Sequence, residues 1–247
     1  MCTRNNKTMK KILLPALVAV LLSACNFVAG KRVKGNGHVV TVNRNPGSFT
    51  EVAQKGSFDL VLKPGSQAGV QIDAEENIAQ HIETSVDNGR LVVQTEDGFF
   101  LRPTRKIRIV VTAPSFEGIR SMGSGNIETE GRLTGEGPLK LESRGSGNIK
   151  VEVKVPELEA ETTGSGNITV SGEAPRARFS TMGSGDLDAA NLQANEVDVA
   201  IRGSGNASVN AVEKLALDIK GSGDVRYRGN PSIRSDIRGS GSLQKAD

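Results

Sequence analysis

Apolar and polar residues alternate with a period of two along residues 119–244, on both sides of a recurring glycine-rich tetrapeptide. The tetrapeptide reads Gly-Ser-Gly-Asn or Gly-Ser-Gly-Asp in six copies, and a seventh copy over residues 239–242 ends in serine. Successive copies are 22, 19, 19, 20, 18 and 18 residues apart. Segments such as Ile149-Lys150-Val151 follow the copies and place every second side chain on one face. This pattern predicts short strands with one buried face, joined by corners.

The composition of the tetrapeptide suits a tight corner that stacks on copies of itself. Glycine adopts positive φ without strain, and Asn or Asp tolerates that region better than most residues. Only small side chains fit between corners stacked at the strand spacing of about 4.8 Å, and a column of Asn side chains can form hydrogen bonds along the stack. We therefore predict these structural corner residues: Gly123, Gly125, Asn126, Gly145, Gly147, Asn148, Gly164, Gly166, Asn167, Gly183, Gly185, Asp186, Gly203, Gly205, Asn206, Gly221, Gly223 and Asp224.

A repeat of about 19 residues predicts an all-β fold, a single-domain parallel β-helix or β-solenoid with one coil per repeat. One coil cannot bury its apolar face alone, whereas several stacked coils can. The alternative is an antiparallel β-sandwich in which the tetrapeptides are hairpin turns, and the handedness of a solenoid stays open. Residues 38–118 lack the repeat but also alternate, so we expect one domain over residues 38–244, with the repeat part at about 119–244.

Residues 1–24 have the features of a bacterial lipoprotein signal peptide. Two lysines precede an apolar run over residues 12–22, which is too short for a membrane-spanning helix of about 20 residues. The segment Leu22-Ser23-Ala24-Cys25 resembles a lipobox, which implies cleavage before Cys25 and lipid attachment to it. The alternative is an ordinary secretory signal with an incidental cysteine.

The mature chain would then start with a lipidated tether over residues 25–37. Asn26, in place of Asp after the cysteine, favours the outer membrane of a two-membrane bacterium, on its periplasmic side or its surface. Either Met1 or Met9 is the true start. We expect a lipid-anchored protein of the bacterial cell envelope.

Composition narrows the chemistry of the mature domain. Loss of the signal removes four basic residues and no acidic one, which leaves 27 Lys and Arg against 28 Asp and Glu. No global basic charge remains for nucleic acid. Cys2 and Cys25 are the only cysteines, so the mature domain has no free thiol and no disulfide. The 29 glycines and 3% aromatic residues suit thin, repetitive β structure.

Candidate catalytic and metal-binding residues are scattered along the sequence. Asp186 and Asp224 lie in glycine-rich corners, but a calcium β-roll needs a nine-residue period and regular aspartates. His38 and His81 lie in different segments, and no nucleophile elbow is present. We expect no catalytic residue, no cofactor and no metal site.

Two surface features deserve separate hypotheses. Arg202, Lys220 and Arg238 directly precede corners and could form a basic column for an acidic glycan or a lipid headgroup. The alternative is a solvated face in which Asp218 and Asp236 pair diagonally with these bases across coils. The apolar run over residues 98–101 is either a buried strand edge or an exposed patch for a partner.

The Gly-Ser-Gly-Asn-Ile units resemble the head GIN domain family, also described as an auto-transporter adhesin family. Residues 57–62 and 88–91 are similar to its N-terminal part, and the resemblance covers most of residues 38–244. The resemblance implies a β-solenoid, often on a lipoprotein, without an established biochemical function.

We therefore expect a non-catalytic envelope lipoprotein that presents a rigid β-solenoid surface for binding or scaffolding. A carbohydrate-binding adhesin is the alternative, although sugar sites commonly stack rings on Trp or Tyr and the chain has one tyrosine and no tryptophan. A glycan-acting enzyme is a third reading and would need converging carboxylates. The expected partners are the membrane, through the lipid, and a glycan or an envelope protein, with no nucleic acid; the oligomeric state stays open.

Overall fold

The computed structural model describes residues 30–246, so the signal peptide and Cys25 lie outside the described residues and stay predictions. Residues 32–246 belong to one compact unit, and only Gly30 and Lys31 of the preceding unit are described. Within the described part of the chain, no helix is both long and apolar enough to cross a membrane.

The first half of the described chain forms eleven strands and one short helix. They are β1 (Lys31–Lys34), β2 (Val39–Arg44), β3 (Glu51–Lys55), β4 (Asp59–Pro64), β5 (Gly69–Glu75), α1 (Glu76–Ala79), β6 (Ile82–Asp87), β7 (Arg90–Thr95), β8 (Phe99–Arg102), β9 (Arg108–Ala113), β10 (Gly118–Ser121) and β11 (Ile127–Thr129). The second half consists of β12 (Leu133–Thr134), β13 (Leu139–Gly145), β14 (Ile149–Lys154), β15 (Glu157–Gly164), β16 (Ile168–Glu173), β17 (Arg176–Gly183), β18 (Leu187–Gly203), β19 (Ala207–Gly221), β20 (Val225–Arg228), β21 (Ser232–Gly239) and β22 (Leu243–Lys245).

Each corner joins one strand of a first parallel sheet to one strand of a second. The first sheet contains β10, β13, β15, β17, the second halves of β18 and β19, and β21. The second sheet contains β11, β14, β16, the first halves of β18 and β19, β20 and β22. Seven stacked coils result, so the predicted parallel β-solenoid is confirmed and the antiparallel sandwich is wrong.

Parallel register aligns equivalent residues of successive coils in columns. The column two residues before the corners is Ser121, Ser143, Thr162, Thr181, Ile201, Ile219 and Ile237. The column directly after the corners is Ile127, Ile149, Ile168, Leu187, Ala207, Val225 and Leu243. Side chains of both columns point between the sheets and are buried in every coil but the last, where Ile237 is 37% exposed and Leu243 is partly buried. The period-two alternation therefore reports the core correctly.

Two further coils extend the stack beyond the repeat, in an order that differs from the order of the chain. The β3–β4 coil lies directly against the β10–β11 coil, and the β7–β9 coil lies outside it. Hence the segment without the repeat is part of the same solenoid. Antiparallel strands follow at this end, because β6 pairs with β7 and β2 pairs with β5, which pairs with β9.

Glu75 fastens the segments around this N-terminal end. Its side chain is buried (1% exposed) and accepts hydrogen bonds from the backbone N–H of Gly37 (2.6 Å), the N–H of Thr104 (2.7 Å), the Thr104 hydroxyl (2.6 Å) and the N–H of Arg105 (3.3 Å). The hydroxyl and the three N–H donors stabilise the charged form, so the pKa of Glu75 falls from 4.5 to about 2.

We expect Glu75→Gln to lower the melting temperature at neutral pH and to flatten its acid dependence. A folded-state pKa below the unfolded value gives stability that is complete above pH 4.5 and is lost as the pH falls towards about 2. Thermal denaturation between pH 2 and 7 measures both effects. Glu76→Gln is the neighbouring control, and an unchanged acid dependence in Glu75→Gln would contradict the role assigned to this carboxylate.

Candidate binding surface and the corner column

A continuous column of side-chain oxygens runs along the corners. The Oδ1 atom of each corner Asn or Asp accepts the backbone N–H of the corner residue in the next coil, at 2.8–3.2 Å. Its backbone carbonyl bonds in the opposite direction, as Asn148 O accepts the N–H of Ile127 at 2.8 Å. Asn and Asp both supply Oδ1, which explains why either residue occupies the position.

The column begins one coil earlier than the repeat suggests. Asp59 Oδ1 accepts the N–H of Asn126 at 3.0 Å, so residues 56–59 form a further corner with Phe58 in place of its second glycine. Sequence reasoning missed it, although glycine, serine and aspartate stand in register before the alternating Leu60 and Leu62. The column ends at Ser242, whose N–H and hydroxyl both bond to Asp224 Oδ1.

Two constraints require glycine in the corners: positive φ at the first glycine, and close approach of successive backbones at both glycines. The first glycine has positive φ, 132° at Gly183 and between 124° and 157° in the equivalent glycines from Gly145 onward. The second does not, but a Cβ at Gly185 would lie under 3.0 Å from the carbonyl oxygen of Gly166 in the preceding coil. Positive φ therefore belongs to the first glycine alone, whereas close backbone approach excludes a side chain at both, since a Cβ at Gly183 would also lie under 3.0 Å from the carbonyl oxygen of Gly164.

Buried hydroxyls close the middle corners from inside. Ser143, Thr162 and Thr181 donate to the carbonyl of the second glycine of their own corner at 2.9, 2.7 and 2.9 Å. Isoleucine takes this position in the last three coils, so the bond is not needed in every coil. Asp186 Oδ1 is itself occupied by Asn206, and no three His, Cys, Asp or Glu side chains converge as metal ligands among the described residues.

The outer face of the first sheet carries a shallow groove of about 700 Å³ over its last five coils. Small residues of successive strands form its floor: Ser180, Ala200 and Ala216. Charged residues and one methionine line the groove: Glu159, Glu161, Arg178, Met182, Asp198, Arg202, Asp218, Arg234 and Asp236. Ser180 and Ala200 are neighbours in one column of side chains and Ala216 lies in the column beside it, so small residues in two adjacent columns leave this face concave.

The basic column at this face is largely neutralised along its own strands. Lys220 pairs with Asp218 at 3.0 Å, and Arg238 pairs with Asp236 at 2.9 Å. The pairs join residues two apart on one strand, not diagonal neighbours in adjacent coils. Arg202 keeps no ion pair within the described residues, so it is the free cation of the column.

The other charges of the groove divide in the same way. Arg178 lies 3.9 Å from Asp198, whereas Arg234 and Glu161 have no ion-pair partner in the part of the chain that the structure describes. The Oδ1 atom of Asp218 is buried and has no hydrogen-bond partner there. The groove therefore presents two guanidinium groups, those of Arg202 and Arg234, that have no ion-pair partner among the described residues.

The N-terminal end of the same face is closed by a buried ion pair. Glu142 is 3% exposed and contacts Arg120 at 2.9 Å and Arg144. Each carboxylate oxygen of Glu142 thus contacts one guanidinium group, which offsets the cost of burying its charge. The first two coils of this sheet thus hold their outward carboxylate in ion pairs, whereas charges unpaired within the described residues begin with Glu161 in the third coil.

The remaining candidates lie at the N-terminal end. His81 bonds to Glu96 at 2.7 Å and stacks on Phe99 with ring centroids 4.0 Å apart. His38 is exposed beside Glu76. In β8, which pairs with β1, Phe100 is 49% exposed while Leu101 packs on the core, so the 98–101 run is a strand with one side chain on each face, and a partner for Phe100 stays a prediction.

Residues 48–231 match the family described as "Putative auto-transporter adhesin, head GIN domain". The chain belongs to this head GIN domain family. Membership associates the protein with adhesins and with the cell surface or envelope. No curated protein matches the chain.

Solved structures share the fold of this head GIN domain. A "putative adhesin" from Bacteroides fragilis is 25% identical with a TM-score of 0.82, over 87% of this chain and 100% of the other. A "putative lipid binding protein" from Parabacteroides distasonis is 28% identical with a TM-score of 0.73, over 88% and 100%. A "putative adhesin" from Parabacteroides merdae, 22% identical with a TM-score of 0.69 over 88% and 100%, shows the fold alone.

We expect Gly185→Ala to destabilise the head GIN domain by about 1–3 kcal/mol, because the new Cβ would press on the coil before it. Gly137→Ala is the matched control, since a Cβ there meets nothing within 4 Å and its φ is not positive. Chemical denaturation of both variants measures the difference. Equal stability of the two variants would contradict the close-approach role of the second corner glycine.

Proposed function

We propose that the protein is a non-catalytic lipoprotein of the cell envelope that presents the first sheet as a rigid surface for binding or scaffolding. The observation that carries the proposal is the groove of about 700 Å³, with its small-residue floor and free arginines. Each strand of the floor is hydrogen-bonded to neighbours on both sides, so the surface is preorganised and loses little entropy on binding. Adhesin family membership supports the same class of function.

A carbohydrate-binding adhesin is the favoured specific form, and the groove supports an acidic glycan as its ligand. Guanidinium groups bind carboxylates and sulfates through paired N–H donors. Arg202 and Arg234 have no carboxylate partner among the described residues, so their donors can bind those of a ligand. The floor has no aromatic side chain, so recognition would depend on charge and hydrogen bonds. Coils repeat at about 4.8 Å, a spacing that suits a polymer with a short chemical repeat.

A glycan-acting enzyme is not favoured by the carboxylates of the groove. Glycosidases need a general acid whose pKa is raised by an apolar pocket, beside a second carboxylate. Asp198, Asp218 and Asp236 are instead 60%, 41% and 55% exposed, and each faces a basic side chain. Such groups can bind hydroxyls but are poorly placed to donate a proton.

Groove variants of the full chain test the proposed surface. We expect Arg202→Ala to weaken binding to acidic glycans on an array by about tenfold, because one charge-assisted hydrogen bond contributes about 1.5–3 kcal/mol. Arg228→Ala, on the second sheet, is the matched control and should bind as the parent chain does. Anionic vesicles belong in the same assay, since one structural relative is described as lipid binding.

Two outcomes would count against this function. Equal loss in the Arg202 and Arg228 variants would mean that net charge, and not the groove, attracts the ligand. Cleavage of any arrayed glycan by the parent chain would replace the non-catalytic proposal with an enzymatic one.

We propose further that Cys25 carries the lipid and anchors the protein in the outer membrane. The support is the apolar run followed by Leu22-Ser23-Ala24-Cys25, with Asn26 next. Cys25→Ala should abolish palmitate labelling and move the protein out of the membrane fraction, whereas Cys2→Ala should change neither. Density-gradient separation of the inner and outer membranes shows which of them contains the parent chain, and a peak in the inner membrane would refute the outer-membrane assignment.

A further inference from the structure

The last coil leaves one edge of the first sheet open. β21 pairs with β19 on one side, and no described residue pairs with its other edge. All eight residues of β21 are exposed, including Ile233 (41%) and Ile237 (37%). Ile219, the partner of Ile237 in the preceding coil, is fully buried. Solenoid ends usually carry a polar cap, so an uncovered apolar end coil indicates an interaction surface.

Hydrogen bonds in the stack show which backbone groups of β21 point outward. Met122, one residue before its corner, donates its N–H to Gln54 O of the preceding coil at 2.8 Å. In a strand, consecutive residues direct their N–H and C=O groups to opposite edges. The residues of β21 that face the preceding coil are therefore Arg234, Asp236 and Arg238. The residues whose N–H and C=O face the open edge are Ile233, Ser235 and Ile237.

The sequence of β21 is complementary to itself about Ser235. When two copies of Ser-Ile-Arg-Ser-Asp-Ile-Arg pair antiparallel with Ser235 opposite Ser235, Ile233 of one copy lies opposite Ile237 of the other. Arg234 then lies opposite Asp236. The outward-facing N–H and C=O groups of three residue pairs meet, which gives about six backbone hydrogen bonds.

Charge selects this register over its neighbours. With Asp236 at the centre, Arg234 would lie opposite Arg238 and two aspartates would face each other. With Arg234 at the centre, two arginines would face each other. Like charges directly opposite destabilise antiparallel pairs, whereas opposite charges stabilise them. Arg234 also has no ion-pair partner within the described residues, so pairing would supply one.

We propose that two copies of this chain associate through their C-terminal coils, by antiparallel pairing of β21 about a two-fold axis at Ser235. An isologous contact of this kind closes on itself and gives a dimer, not a filament. The apolar faces of both end coils become continuous at the junction. Since Arg234 and Asp236 also line the groove, the grooves of the two copies meet at the same axis.

Cysteine cross-linking tests the register in the full chain with Cys2 and Cys25 replaced by alanine. Opposed Cα atoms of a hydrogen-bonded antiparallel pair lie about 5.5 Å apart, within the range of a disulfide. Ser235→Cys should therefore form a disulfide-linked dimer on mild oxidation. Ser232→Cys, on the same strand, should not, because symmetry separates the two copies of residue 232 by about 20 Å.

Charge exchange tests the same contact without cysteine. Sedimentation equilibrium of the purified full chain in mild detergent should show a monomer–dimer equilibrium. Arg234→Asp and Asp236→Arg should each weaken dimerisation by at least about tenfold, and the double exchange should restore it.

Four outcomes would overturn the proposal. They are a monomer at every concentration, equal cross-linking at positions 232 and 235, failure of the double exchange to restore dimers, and dimers that neither single exchange affects. Thermal denaturation of each variant distinguishes a loss of folding from a loss of association. Because β21 is the terminal strand of its sheet, substitutions in it should leave the other coils folded. A variant that folds and yet fails the expected pattern counts against the pairing.

Discussion

The approach of one corner to the next is the constraint on which the solenoid depends. At the second glycine, the backbone of each coil lies against the carbonyl of the coil before it, with no room for a Cβ. That contact fixes both the spacing and the register of the coils. The Oδ1 column then supplies an acceptor for the N–H of the last corner residue at every step from Asn126 to Ser242.

Fixed register has consequences far from the corners. Because equivalent residues of successive coils stack, their side chains are direct neighbours at about 4.8 Å. This spacing favours aliphatic residues inside the solenoid and alternating charges outside. Glu142 between Arg120 and Arg144 shows how far this can go, since a carboxylate is buried on an outer face. The groove arises from the same rule, where a run of small residues lowers one part of an otherwise flat sheet.

The repeated part of the fold could be predicted from the sequence, whereas the arrangement of the segment without the repeat could not. The alternation around each tetrapeptide predicts both sheets and their core columns, because a period of two assigns every side chain to a face. Nothing in the sequence reveals that the β3–β4 coil is stacked between the β10–β11 coil and the β7–β9 coil, since this order depends on long-range pairing. The structural role of Glu75 could not be predicted from the sequence either, because its hydrogen-bond partners lie 29 to 38 residues away along the chain.

The candidate site shows the same division. Sequence identified Arg202, Lys220 and Arg238 as one column with Asp218 and Asp236 as candidate partners, but not that Lys220 and Arg238 each bind the acid of their own strand. Such a choice depends on side-chain rotamers, which a period of two does not specify. The small floor residues carry no chemical signal of their own and become a site only when register brings them together.

The two ends of the solenoid differ for a physical reason. A stack of parallel strands always leaves backbone groups unpaired at both ends. At the N-terminal end the chain reverses direction, so that β6 and β2 run antiparallel to the strands beneath them and Glu75 holds adjoining segments in place. The C-terminal coil has no such reversal among the described residues, and Ser242 ends the Oδ1 column. Another edge strand can supply partners for the unpaired N–H and C=O groups of this end. A second copy of β21 is sufficient, because antiparallel pairing places Arg234 of each copy opposite Asp236 of the other.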